Sequence, residues 1–443
     1  MKTKLSLAVA AALLAGASSA NAGIMIPAGD WTLDIGGVVN AYYTSTRFTG
    51  NQTAGYGGAF IGGKTPGATS STVSNITTGL LPNYLSVSGK TRQNDLDVGF
   101  TISINPGAST TSSGKQSAQQ ENRQAFLTFG DKSWGSIKLG KDLGIYASDA
   151  ILNDMTLLGV GSAAGFLAGN TTTLGRIGTG FMYADWKSQV AYSSPNWNGF
   201  SFTGGVTQAW NANNSTGRGG SQPAFEGKAS YEWAGDFGGK AWVSGFTQKV
   251  KGINSHDGID GAAAVAAVVQ SGTPGTTGFV AAKPAKAAVL GSPASAGTSD
   301  TANAFDIGAT VNVAGFGLTG YYGQGDGTGT TVLLNQGFDS AGQTRSSDDW
   351  YVQGTYTIPT VGTKVGVSYG ESNLDGNSID TFKDSSNKMW TVGAYHPITK
   401  HLNLVAEYSD VKGKVNNNDT TNPTGSNSKG TAKTISLGAI LFF

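Results

Sequence analysis

Apolar and polar residues alternate in steps of two along almost the whole chain, and no long apolar run interrupts them. This pattern is the feature that most limits the fold. A strand with period two has one greasy face and one wet face. Trp31, Leu33, Ile35, Val39, Ala41 and Tyr43 share one side of such a segment, with Asp34 and Asn40 opposite. Phe225, Ala229, Tyr231 and Trp233 alternate with Glu226, Lys228, Ser230 and Glu232. Leu402, Leu404, Ala406 and Tyr408 alternate with Asn403, Glu407 and Ser409, and Ile435, Leu437, Ala439, Leu441 and Phe443 close the chain. Sixteen segments read this way, near 31–43, 83–89, 95–104, 123–130, 134–140, 187–194, 198–210, 224–234, 238–249, 303–313, 315–324, 348–358, 361–370, 388–396, 401–411 and 431–443.

The connections between them alternate in length. Long ones at 44–82, 105–122, 141–186, 211–223, 250–302, 325–347, 371–387 and 412–430 take turns with short ones of a few residues. Antiparallel neighbours with tight turns on one side and long loops on the other are the pattern of a membrane β-barrel. Lipid offers no partner to an open sheet edge, so such a sheet has to close on itself. The expected fold is therefore all-β, a transmembrane antiparallel barrel of about sixteen strands, too wide for side chains to fill. Trp31, Trp134, Tyr192, Trp233, Trp242, Trp350 and Trp390 fall at or near strand ends, as an interfacial aromatic girdle requires.

Composition removes other classes. Lys+Arg number 29 against 28 Asp+Glu, which excludes the basic excess of a nucleic-acid binder. There is no cysteine, hence no disulfide framework and no thiolate metal site. His256, His396 and His401 have no metal-ligand spacing, and Asp257 and Asp260 lack the closing Glu of a calcium loop, so no cofactor is expected. Residues 1–22 read as a cleaved signal peptide: Lys2 and Lys4, an Ala/Leu core, and Ala20-Asn21-Ala22 as the cleavage site. Residues 23–443 would then form the barrel. Beyond the leader the longest apolar run is Ala262 to Val269, far short of the ~20 residues of a spanning helix. Segment 250–302 contains a low-complexity stretch rich in Ala, Gly and Pro and reads as a long surface loop.

Several motifs carry a family likeness. Gly438-Ala439-Ile440-Leu441-Phe442-Phe443 is an apolar last strand ending in Phe. Asn122-Arg123-Gln124-Ala125-Phe126-Leu127 followed by Gly135-Ser136-Ile137-Lys138-Leu139-Gly140-Lys141 forms a hairpin. Asp142 to Gly165 departs from strand patterning, and Gly175-Arg176-Ile177-Gly178 follows it. Together these resemble the general diffusion porins of Gram-negative outer membranes. The resemblance implies a passive channel for small hydrophilic solutes and ions, not an enzyme. It implies a homotrimer in contact with outer-membrane lipid and lipopolysaccharide, and a terminal Phe443 read by the barrel-assembly machinery. It also implies that the third extracellular loop, 141–182, folds inward and narrows the channel, with a short helix within 147–158. The acids of that constriction would be Asp149 and Asp154, with Asp142, and the bases Arg123 and Arg176, with Lys141 at the loop root. Two unit charges ~8 Å apart interact by roughly 2 kcal/mol at an effective dielectric of 20, enough to orient a polar solute. The chain departs from the family where Gly37 and Tyr84 occupy positions that often carry bases, and Leu158 one that often carries an acid. Alternatives are a substrate-selective channel, a surface adhesion β-protein, or a barrel enzyme with a Ser–His pair.

Overall fold

The computed structural model describes residues 23–50, 70–108, 120–162, 171–212, 222–254, 297–331, 334–417 and 428–443. The signal-peptide reading of 1–22, most of the low-complexity loop with His256, Asp257 and Asp260, and the tips of several other loops lie outside them. Strands in chain order are β1 (Ile24–Ala28), β2 (Trp31–Gly50), β3 (Ser70–Thr77), β4 (Tyr84–Gln93), β5 (Leu96–Pro106), β6 (Gln120–Glu121), β7 (Ala125–Asp131), β8 (Gly135–Leu143), β9 (Trp186–Ser193) and β10 (Phe200–Thr207). They continue with β11 (Ala224–Trp233), β12 (Gly238–Ile253), β13 (Thr298–Val313), β14 (Phe316–Asp326), β15 (Ser346–Thr357), β16 (Lys364–Asp375), β17 (Phe382–Pro397), β18 (Leu402–Asn417) and β19 (Ser428–Phe442).

Sixteen of these close a ring of antiparallel neighbours: β2, β4, β5, β7 and β8 through β19, with β19 returning to β2 and β9 pairing β10. All sixteen correspond to segments legible in the alternation. Three short strands complete the wall. β1 forms a hairpin with the start of β2, β6 extends the pairing of β5, and β3 pairs the far half of β2 while β4 pairs its near half. Short turns need special backbone. Asn94 and Asp95 (φ 48° and 61°) join β4 to β5, and Ala314 with Gly315 (φ 48° and 87°) joins β13 to β14. Positive φ at both central residues matches the right-handed strand twist.

Burial is inverted relative to a soluble protein. Val39 and Tyr43 on β2, Ile102 and Ile104 on β5, Phe305 and Ile307 on β13, Leu404 on β18, and Ile435 and Leu437 on β19 are exposed. Their alternates Asn40, Thr44, Thr101, Ser103, Asp306, Glu407, Thr434 and Ser436 are buried. Large apolar side chains facing out all round a closed sheet need a hydrocarbon solvent. Trp134, Trp197, Phe200, Phe237 and Phe316 are exposed at the short-turn side, and Tyr43, Tyr322 and Tyr369 toward the loop side. Trp242 leaves this girdle: it is 3% exposed and packs in the interior cluster, because its position on β12 has the inward parity of Ser244 and Phe246. Strands β12, β13, β17 and β18 have 16 residues, about 50 Å each, against the 9–11 residues that span a bilayer. They therefore project beyond the membrane on the loop side. For the same reason the loop boundaries expected from sequence shrink, with 250–253 and 298–302 in strands.

Candidate functional site

Residues 144–162 and 171–185 join β8 to β9 and are nearly all buried. They contain α1 (Ser148–Leu152) and a 3-10 turn, Met155–Leu158, within the span where a short helix is expected, and a second 3-10 turn at Ile177–Thr179. Their partners are wall residues of inward parity, so the segment packs on the inner face. Glu226 on β11 accepts the backbone N–H of Ile145 (2.8 Å) and Tyr146 (2.9 Å), together with Thr207 Oγ1 and the buried ammonium of Lys187. That ammonium lies 3.2 Å from the Trp210 ring centre. Glu407 on β18 accepts Val160 N–H and Gly161 N–H, both at 2.8 Å, and the Tyr395 hydroxyl at 2.6 Å. Between these anchors Tyr351 Oη donates to Ala150 O, Gln353 Oε1 accepts Met155 N–H, and Asp349 Oδ2 accepts Met182 N–H. The wall contributes one further piece. After β3 the chain turns inward over 78–83, where Leu80 N–H donates to Gly159 O and Gly79 O accepts Thr173 N–H.

Each charged residue singled out from sequence has a definite place. Asp149 sits in α1 between two wall lysines, 2.9 Å from Lys228 Nζ and 2.7 Å from Lys240 Nζ. Burial pushes its carboxyl up, but the two ammonium groups outweigh that and hold it below the usual carboxylate range. Asp154 caps the following 3-10 turn, accepting Thr156 N–H (2.9 Å) and Oγ1–H (2.8 Å) and the Arg176 backbone N–H (3.2 Å). Burial raises its pKa against the attraction of Arg176. Arg176 is fully buried and donates from Nη1 to Met389 O (3.0 Å). Asp142, on β8, is paired with Lys138 and accepts Gln124 Nε2 at 3.0 Å. Arg123 lies in the irregular stretch before β7, pairs with Glu121 (2.8 Å) and donates to Thr171 Oγ1 (2.9 Å).

Two positions fall elsewhere than expected. Lys141 shares the parity of Ile137 and Leu139, whose cross-strand partner Leu127 is exposed, so it lies on the outer face and donates to Asn122 O. Gly37 has the outward parity of Val39, and a side chain there would strike Tyr84 O and the Phe443 ring. It is therefore not a lumen position lacking a base. Leu158 acts through its backbone, its carbonyl accepting the Tyr42 hydroxyl (2.6 Å). The strongest wall partners, Glu226, Lys228, Lys240 and Glu407, went unassigned in the sequence. Their signal is a charge at inward parity within a strand, which alternation marks but does not connect to a loop.

The inner wall of β4, β5, β7 and β8 has a different character. A cavity of about 360 Å³ opens there, lined by Asp34, Ser88, Lys90, Thr101, Thr128 and Lys138. The buried loop thus lies along β11 to β18 and meets β2, while this polar wall keeps open space beside it.

A closed sixteen-strand sheet that is apolar outside and polar along its inner face is a transmembrane β-barrel channel. The chain belongs to the Gram-negative porin family, whose model matches residues 7–417. No curated protein matches the chain. Among solved structures it is similar to an anion-selective porin from Comamonas acidovorans, at 14% identity and TM-score 0.55 over 93% of this chain and 100% of that one. It is also similar to the outer membrane channel DcaP of Acinetobacter baumannii, at 15% identity and TM-score 0.57 over 94% and 100%. The outer-membrane protein OmpT of Vibrio cholerae aligns at 16% identity and TM-score 0.53 over 95% and 100%. At these identities the structures speak for the fold. Family membership makes the chain an outer-membrane channel for diffusion of small solutes.

Proposed function

We propose that residues 144–162 and 171–183 form the neck of a passive, water-filled pore, and that small hydrophilic solutes and ions pass between this loop and the wall of Lys90 and Lys138. The observation that carries this reading is the pinning of one loop by Glu226 and Glu407, carboxylates on strands seven apart in the ring. A loop so fixed sets a cross-section without binding its cargo, and a solute must leave as readily as it enters. Asp149 and Asp154 are the acids of the neck, Arg123 and Arg176 its bases. Asp149 is shared by two lysines and Asp142 answers Lys138, so the net field is weak and discrimination among solutes is modest. The function is transport, with no catalytic step.

The same proposal covers export and assembly. Residues 1–22 are a cleaved leader, 250–302 includes a surface loop, and Phe443 is the feature read by the barrel-assembly machinery. The chain works as a homotrimer; OmpT of Vibrio cholerae is described in a trimer form. On the outside, Arg47, Lys412, Lys429 and Lys433 are exposed just beyond the apolar belt at the loop side. Lys433 stands opposite Arg47, and Lys388 opposite Lys412. Lys388 is paired with Glu371 (2.9 Å) and Lys433 lies 3.8 Å from Asp410, so the support for contact with lipopolysaccharide phosphates is the exposed basic row of Arg47, Lys412 and Lys429.

The test is conductance in a planar bilayer under a potassium chloride gradient. Stepwise ohmic insertions with a small reversal potential are expected. Membranes that stay sealed to ions overturn the reading, and a saturable current for one solute class favours a selective channel.

A further inference from the structure

The connection between β14 and β15 is not spread over the barrel rim. Leu334 is 0% and Phe338 3% exposed, and both pack in a cluster with Tyr146 and Met182 of the neck loop and Phe246, Val250, Ile253 and Ala302 of β12 and β13. Phe246, Val250 and Ala302 have inward parity, so these side chains lie inside the mouth, above the neck. Thr331 O accepts Tyr183 N–H (3.1 Å), a direct tie between the two loops.

Beside this apolar packing, one guanidinium gathers the largest set of polar ties on the segment. Arg345 donates from Nε and Nη2 to the two oxygens of Asp380 (2.8 and 2.6 Å), a bidentate fork. Its Nη1 turns back to Gln336 O (2.9 Å) and Phe338 O (2.8 Å), closing its own loop around it. The group stacks over the Phe382 ring at 5.3 Å. Asn377 strengthens the joint, donating from its backbone to Asp380 Oδ2 (2.7 Å) and from its side chain to Asp339 Oδ2 (2.8 Å) and Thr344 O (3.0 Å). Asn254, at the end of β12, donates to Ser340 O (2.8 Å). Three strand ends therefore meet on 334–345, and the fork is shielded, with side chains 11% and 8% exposed.

Resting on the channel reading above, we propose that residues 334–345 are a second narrowing element, placed over the neck, and that Arg345 is the positioning residue holding them there. The neck loop has its own anchors on the wall, so loss of the fork releases 334–345 from the mouth and leaves the barrel and its neck in place. The largest solute admitted is then set by two elements in series.

The experiment uses full-length protein in liposomes, with swelling followed in uncharged sugars of increasing size and conductance measured in parallel. Arg345→Ala and the near-isosteric Asp380→Asn are expected to admit sugars that wild type excludes and to raise the conductance step. The charge exchange Arg345→Asp with Asp380→Arg is expected to return both toward wild type. Heat-modifiable gel mobility reports that each barrel is folded. Folded single variants with the wild-type cut-off overturn the proposal, and so does an exchange that fails to restore it. Wild-type vesicles that never swell sink the channel reading itself, a result distinct from an unchanged cut-off in the variants.

Discussion

Asp149 concentrates the electrostatics of the neck. Its carboxylate is buried, yet Lys228 and Lys240 keep it ionised, since an unpaired buried charge of either sign costs more than the pair. Asp149→Asn leaves both lysines without their anion. The reversal potential under a salt gradient is expected to move toward anions, and α1 to lose about 1–3 kcal/mol of anchoring from charge-assisted bonds. An unchanged reversal potential would remove Asp149 from the conduction path. The pH dependence follows from the signs. The carboxyl is depressed in the folded loop, so its contribution is present above the ordinary value near ~3.9 and is lost as pH falls through the lower folded value. Asp154 is raised, so acid does not weaken its place. As pH falls the Asp154 charge should therefore be lost first, and the Asp149 contribution to anion preference should come only in stronger acid in wild type and be present already at neutral pH in Asp149→Asn, as a pH series of reversal potentials reads. Arg123 has the strand parity of Ala125 and exposed Leu127, which by alternation alone would turn it outward. The irregular backbone before β7 overrides this by turning the side chain toward Thr171.

At the scale of elements, the neck packs Ile151, Met155, Leu157, Val160, Ile177 and Phe181 in one apolar cluster with Tyr42, Tyr321 and Tyr351 of the wall, and two glutamates fix its backbone to the barrel. Each accepts two successive backbone N–H groups that would otherwise be buried without partners. Glu407→Ala orphans Val160 N–H, Gly161 N–H and the Tyr395 hydroxyl, each at about 1–3 kcal/mol. Single-channel records are expected to show rapid flicker and a spread of levels, with the barrel's thermal unfolding little changed; a quiet trace at the wild-type level would refute the anchor. This also explains what sequence conveyed and what it did not. The strands were legible because lipid on one side and water on the other impose the same two-residue rule on all sixteen. The loop's start was visible as a break in that rule, but its partners lie some 80 and 247 residues away. Nothing periodic links Val160 to Glu407. The inward turn at 78–83 was hidden likewise, because Leu80 and Leu81 read as the approach to a strand while in the structure they serve the neck.

The whole molecule depends on closing one seam. Fifteen of the sixteen ring contacts join strands close in sequence, whereas β19 must find β2 across nearly the full chain. Hydrogen bonds there cannot be traded for water once lipid surrounds the sheet. Phe443 stands at the end of that seam. Its carbonyl accepts Gly37 N–H (2.8 Å), its N–H donates to Gly37 O (3.1 Å), and its ring lies against Gly37, where a Cβ would meet it at 2.7 Å. The absence of a side chain at 37 is thus a condition for the terminal aromatic to dock. Deleting Phe443 removes both bonds and the ring at the point where closure is completed. Gly37→Val keeps the terminal residue but blocks its seat. Both variants are expected to be synthesised and exported normally yet to yield much less heat-modifiable barrel. If deletion lowers yield and Gly37→Val does not, Phe443 acts only as a signal to the assembly machinery; loss in both makes the close packing of β2 at Gly37 against Phe443 and the Tyr84 backbone part of the closure.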